Sequence, residues 1–168
     1  MVTRMNLSEL PLVILIVSGQ NLHQSGQEME SEQDRYYRIL KLAKAKAREA
    51  GFPGLVTPND HSYFEVRYLA PTKFDYVIGI TEKDIRLGKE SLVLMRLAHE
   101  LGHYEQFLAQ GSKDLPTPLW PFSEAGADLR AIKWAASWGV LLEYIQEQMG
   151  PGKSLQQYIA WVKRRVRQ

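Results

Sequence analysis

Five consecutive residues, His99-Glu100-Leu101-Gly102-His103, hold the side chains best suited to chemistry. Two histidines four residues apart fall on one face of a helix, where both imidazoles can reach a single cation. The glutamate between them is placed to take a proton from a water that the cation polarises. With four His and thirteen Glu in 168 residues, a random shuffle gives this spacing only about 0.005 times. The chemistry implied is metal-assisted hydrolysis.

A hydrolytic metal site needs a third protein ligand, because such sites use three and keep one position for water. The chain has no cysteine, so thiolate ligands and disulfides are excluded and the third ligand must be His, Asp or Glu. Glu124 follows His103 by 21 residues, and Asp128 lies one helical turn beyond it. The preferred reading makes Glu124 the ligand, favoured also by its place near a helix start, with Asp128 accepting the free ring N–H of a ligand histidine. The reverse assignment stands as an alternative, as does a reading in which both are surface acids complementing the helix dipole. His23 and His61 read as ordinary loop residues rather than ligands. A donor for the oxyanion is also required, and Tyr104, Tyr63, Tyr76 and His61 all remain open for that role.

The surrounding elements must position this set. A helix is expected from about residue 32 to 50, with Tyr36, Ile39, Leu40, Leu42, Ala43, Ala47 and Ala50 as its apolar positions and Lys41, Lys44, Lys46 and Arg48 mostly outward. Gly51 and Pro53 end it. His61 to Leu69 and Phe74 to Thr81 read as two strands of an antiparallel hairpin. The second strand is a candidate edge for pairing with a substrate, with Gly79 allowing close approach of another backbone. The motif helix should run from Glu90-Ser91 to Gly111. Its inward stripe is Leu94, Leu97, Ala98, Leu101 and Leu108. Gly102 costs this helix about 1 kcal/mol relative to Ala, which close packing of another backbone would explain. After a loop at residues 112–122, rich in proline, a helix starts near Ser123, breaks at Gly139 and resumes to Met149. A last helix opens with the capping box Ser154-x-x-Gln157. Its basic end, Lys163, Arg164, Arg165 and Arg167, reads as a complement to the helix dipole.

The whole chain, 1–168, reads as one domain, with residues 1–31 an N-terminal strand and polar loop and 154–168 a C-terminal helix. At 45% hydrophobic and 24% charged residues it is ordinary globular protein. A net charge of +2 gives no reason to expect direct nucleic-acid binding. The apolar run Leu10 to Ser18 is too short for a membrane span. Glu9, Pro11 and the single basic Arg4 weigh against a signal peptide and in favour of a buried strand, so a cytoplasmic protein is expected and a secreted one is the alternative.

The order helix, strand pair, helix with Ala98-His-Glu-Leu-Gly-His103, then a helix opening Glu124-Ala-x-Ala-Asp128-x-x-Ala131, resembles the ImmA/IrrE family of zinc metallopeptidases over residues 33–140. The Glu-x-x-Ala-Asp pattern also resembles the glutamate helix of HtpX-like peptidases and other small gluzincins. The resemblance implies an α+β, zincin-like fold with a small antiparallel sheet packed on helices. It implies one zinc ion held by His99, His103 and Glu124, with Glu100 as catalytic acid/base. It also implies a protein or peptide substrate, in that family often a helix-turn-helix transcriptional repressor. The Trp-rich run Ala131-Ile-Lys-Trp134…Trp138 departs from the family pattern. Four tryptophans, Trp120, Trp134, Trp138 and Trp161, motivate a second reading, a module that binds a partner or senses metal without cleaving, although core packing is the plainer use of such residues.

Overall fold

The computed structural model describes residues 30–70, 73–110 and 124–166. The expectations for the apolar run at 10–18, the polar loop before residue 30, the hairpin tip at 71–72, the loop at 112–122 with Trp120, and Arg167 lie outside the described residues. The described chain runs α1 (Glu32–Glu49), β1 (Leu55–Asn59), β2 (Tyr63–Ala70), β3 (Lys73–Thr81), α2 (Glu82–Leu87), α3 (Glu90–Gln110), α4 (Glu124–Ser137), α5 (Leu141–Met149) and α6 (Leu155–Val166). This is an α+β arrangement of six helices and one three-stranded sheet among the described residues.

Helix α1 starts where Ser31 Oγ accepts the Asp34 N–H at 3.0 Å, satisfying one otherwise orphaned donor. Its buried side is Ile39, Leu40, Ala43 and Ala47, four of the apolar positions the periodicity predicts, while Tyr36, Leu42 and Ala50 are partly buried. The capping box of α6 also forms: Gln157 N–H donates to Ser154 Oγ at 3.2 Å, and Ser154 N–H to Gln157 Oε1 at 2.9 Å.

The sheet departs from expectation in two ways. Its order is β1-β3-β2, with β2 antiparallel and β1 parallel to β3, so it is mixed rather than antiparallel. Strand β1, Leu-Val-Thr-Pro-Asn, is short and carries Pro58, which is tolerated because β1 pairs on one side only among the described residues. Strand β3 is therefore the central strand, and its expected role as a free edge is wrong: both sides of its backbone are already paired. The role of Gly79 changes with it. A Cβ there would lie 2.3 Å from the Tyr63 ring, so the glycine makes room for a cross-strand aromatic side chain, not for a visiting backbone.

Helix α3 lies between two apolar cores. Val93, Leu97, Leu101, Tyr104 and Phe107 join α1 and the sheet on one side, where Val56, Ile78 and Phe64 form one row across the strands. Leu94, Met95 and Ala98 join α4, α5 and α6 on the other. Leu108, expected on the buried stripe, is exposed, and Tyr104 and Phe107 take the inward places in those last turns. Gly102 does serve a close approach: a Cβ there would lie 2.3 Å from the backbone oxygen of Ala127 in α4. Trp134 and Trp138 pack against both cores and Trp161 against the second, which is the plainer use of these residues. No helix among the described residues is long and apolar enough to cross a membrane.

Candidate metal centre

The i, i+4 spacing on α3 brings the His99 and His103 rings to 4.8 Å between centroids, nearly perpendicular to each other. The close contact at Gly102 lets α4 lie against this face of α3, so that Glu124, the first residue of α4, reaches both rings. Its Oε2 is 3.0 Å from His99 Nε2 and its Oε1 is 3.5 Å from His103 Nε2. Donor atoms of His99, His103 and Glu124 all lie within 4.8 Å of one another, and this group could hold a metal ion. Around an ion bound tetrahedrally at 2.0–2.1 Å, neighbouring donors stand about 3.3 Å apart, so the carboxylate–imidazole spacings already fit one.

The far side of each ring is fixed. His99 Nδ1 donates to Asp128 Oδ1 at 2.9 Å, and Asp128 is 1% exposed. His103 Nδ1 donates to Gln106 Oε1 at 3.1 Å. Each bond sets the tautomer that turns Nε2 toward Glu124. Asp128 thus stands behind His99, on Nδ1, while Glu124 faces both Nε2 atoms. Sequence reasoning missed Gln106, although its i+3 spacing from His103 was visible.

Electrostatics favour a cation at this point. Burial by itself pulls the His99 pKa down, but the Asp128 hydrogen bond and the charges of Glu100, Asp128 and Glu124 together hold it above the ordinary imidazole value. His103 is pushed down, first by burial and then by the charge of His99. Glu100 is only 5% exposed, and its desolvation pushes its pKa up to about 7.

Two cavities meet at this group, sharing Ser62, His99, Glu100 and Glu124. One, of about 390 Å³, is lined also by Tyr63, Phe64 and His103. The other, of about 420 Å³, runs between α3, α5 and α6 and carries Arg96, Tyr144, Glu147 and Arg165. Residues 62–64, at the start of β2, therefore border the cleft, and Ser62 Oγ bonds Thr81 N–H and hydroxyl to close that end of the hairpin.

The four candidate oxyanion donors separate. Tyr104 and Tyr76 stack with Phe52, Phe64 and Phe107 in the core and line neither cavity, because position 104, one residue past His103, turns toward the sheet. Tyr63 lines the smaller cavity, and its hydroxyl accepts from Asn59 at 3.2 Å. His61 is exposed, its ring 5.4 Å from that of Tyr63.

Glu124 is 66% exposed in its side chain, and its ion pairs among the described residues are with His99 and His103. Glu124→Ala is expected to weaken metal binding by more than the about 10–100-fold typical of losing an outer partner. The metal-free protein should keep its stability within about 0.5 kcal/mol. Titration against a competing chelator, beside thermal melts, checks both parts.

Comparison of the chain with family models, with curated proteins and with solved structures gave no match in any of the three.

Proposed function

We propose that the protein is a zinc-dependent metallopeptidase of minimal zincin type, related to the ImmA/IrrE peptidases. The observation that carries this reading is the convergence of His99, His103 and Glu124 on one point, with Glu100 on the wall of the same open cleft. Two imidazoles and a carboxylate suit zinc, and an open position leaves room for water and substrate.

When bound, the ion supplies Lewis acidity, polarising the scissile carbonyl and lowering the pKa of a coordinated water to about 7. The rest falls to the chain. Glu100 takes the proton of the attacking water on a carboxylate oxygen and passes it to the departing amine nitrogen. Its burial holds its pKa up at about 7, and a cation held by His99, His103 and Glu124 would draw that value down toward the ionised base needed first. The protein around it excludes bulk water from the carboxylate, which strengthens that exchange. An extended peptide pairs with the edge of β2, which has no second neighbour among the described residues and begins at the cleft. Its residues then occupy an aromatic-lined cavity on one side of Glu100 and a charged one on the other. The family resemblance extends this to a regulatory protein substrate, such as a helix-turn-helix repressor, in the cytoplasm.

Metal analysis of the purified protein tests the reading. One zinc per chain is expected, removable by chelator with loss of peptide hydrolysis and restored by added zinc. A protein that takes up no metal near stoichiometry overturns it.

A further inference from the structure

Asp128, which holds His99 from behind, is itself held by two helices that nothing in the sequence connects with the site. Its Oδ1 accepts the Tyr144 hydroxyl of α5 at 2.8 Å as well as His99 Nδ1. Its Oδ2 faces Arg165 of α6 at 3.4 Å. Tyr144 is buried, and its ring meets that of Tyr158 edge-on at 5.9 Å. Arg165 lies with its guanidinium 4.5 Å above the Trp161 ring, which restrains an otherwise exposed side chain.

A buried carboxylate with one partner can turn about its last bond, and its charge is uncompensated. Here both oxygens are occupied, by groups from three helices, and a guanidinium balances the charge. The Tyr144 oxygen also lies 3.4 Å from His99 Nδ1. Its single hydrogen belongs to Asp128, the closer partner, so the hydroxyl orients the carboxylate and the carboxylate orients the imidazole.

We propose that Tyr144 and Arg165 are positioning residues of the metal centre: by fixing the Asp128 carboxylate they hold His99 with Nε2 turned to the ion. Helices α5 and α6, both of which lie beyond the residues that carry the family resemblance, are then part of the site. The inference rests on the metal reading above and adds to it the means by which the first ligand is aimed.

Zinc affinity of the full chain, by competition with a chromophoric chelator, is the test. Tyr144→Phe and Arg165→Gln are each expected to weaken binding about tenfold, the low end for an outer-shell partner. The visible spectrum of the cobalt-loaded protein should change with them. On an Asp128→Asn background, Tyr144→Phe should cause no further loss, because both act through one carboxylate; a merely structural contribution would add in both backgrounds. Circular dichroism of the metal-free variants checks folding, and Arg165→Gln, at a half-exposed site, carries the test alone if Tyr144→Phe does not fold. Wild-type affinity in the folded variants, or an equal loss on the Asp128→Asn background, overturns the inference. Failure of the wild type to bind zinc would instead remove the metal reading itself.

Discussion

On the proposed metallopeptidase reading, Glu100→Gln is expected to lower kcat/KM for peptide hydrolysis by about 10²–10⁴ while leaving the metal content as in the wild type. The substitution keeps shape and hydrogen-bonding capacity but removes the proton-accepting carboxylate. Glu100 is not among the three residues whose donor atoms converge, so the ion should stay. Stability should be unchanged or slightly higher. The carboxylate is 5% exposed and desolvation dominates its raised pKa, so a neutral amide relieves a burial cost. Kinetics on a cleavable peptide, metal analysis and a thermal melt on the same preparation separate these effects. Hydrolysis equal to wild type would remove Glu100 from the mechanism. Zinc and partner binding unaltered by the change, with no hydrolysis in either protein, would favour a non-catalytic module.

Gly102→Ala should destabilise the protein although it improves helix propensity. The gain is about 1 kcal/mol. Against it stands a Cβ placed 2.3 Å from the Ala127 oxygen, 2.9 Å from its carbonyl carbon and 3.0 Å from its Cα. All three are backbone atoms of α4, so no side-chain rotation relieves the clash and the helices must separate. Overpacking of this kind costs about 1–3 kcal/mol, and a backbone contact this short belongs at the upper end. The net loss of about 2 kcal/mol corresponds to about 4–8 °C in Tm for a domain of this size. A second consequence is specific to the site. Ala127 lies three residues after Glu124, so moving α4 away carries that carboxylate off both imidazoles, and metal affinity should fall with stability. Thermal melts with and without zinc measure the two losses. A variant as stable as the wild type would show that α4 does not press on Gly102.

These two residues also mark how far the sequence could be read. Gly102 was recognisable as an anomaly, a helix breaker inside a strong helical pattern, and the anomaly pointed to a close neighbour. The neighbour itself, Ala127, was not identifiable, since apolar alanines recur throughout α4. Strand β3 shows the opposite case. Its alternation placed Phe74, Tyr76, Ile78 and Ile80 on one face, but alternation speaks of faces and says nothing of edges. The missing neighbour was β1, five residues with a proline, too short and too irregular to declare itself. Helix α2, six residues long, escaped for the same reason.

The sequence by itself determined what depends on local geometry. The rise and turn of a helix put His99, Glu100 and His103 in fixed relation, and apolar spacing set which sides of α1 and of the first turns of α3 are buried. Capping chemistry placed the end of α1 and the start of α6. The tertiary structure alone decided what depends on helices meeting: Glu124 against both Nε2 atoms, Asp128 behind His99, and Tyr144 and Arg165 on Asp128. Arg165 shows the difference most clearly, for a basic residue in a last turn has a sufficient local explanation in the helix dipole. Its partner is 37 residues away in sequence. Contacts at that separation leave no trace in spacing, because they are fixed by the packing of whole faces rather than by the period of any one element.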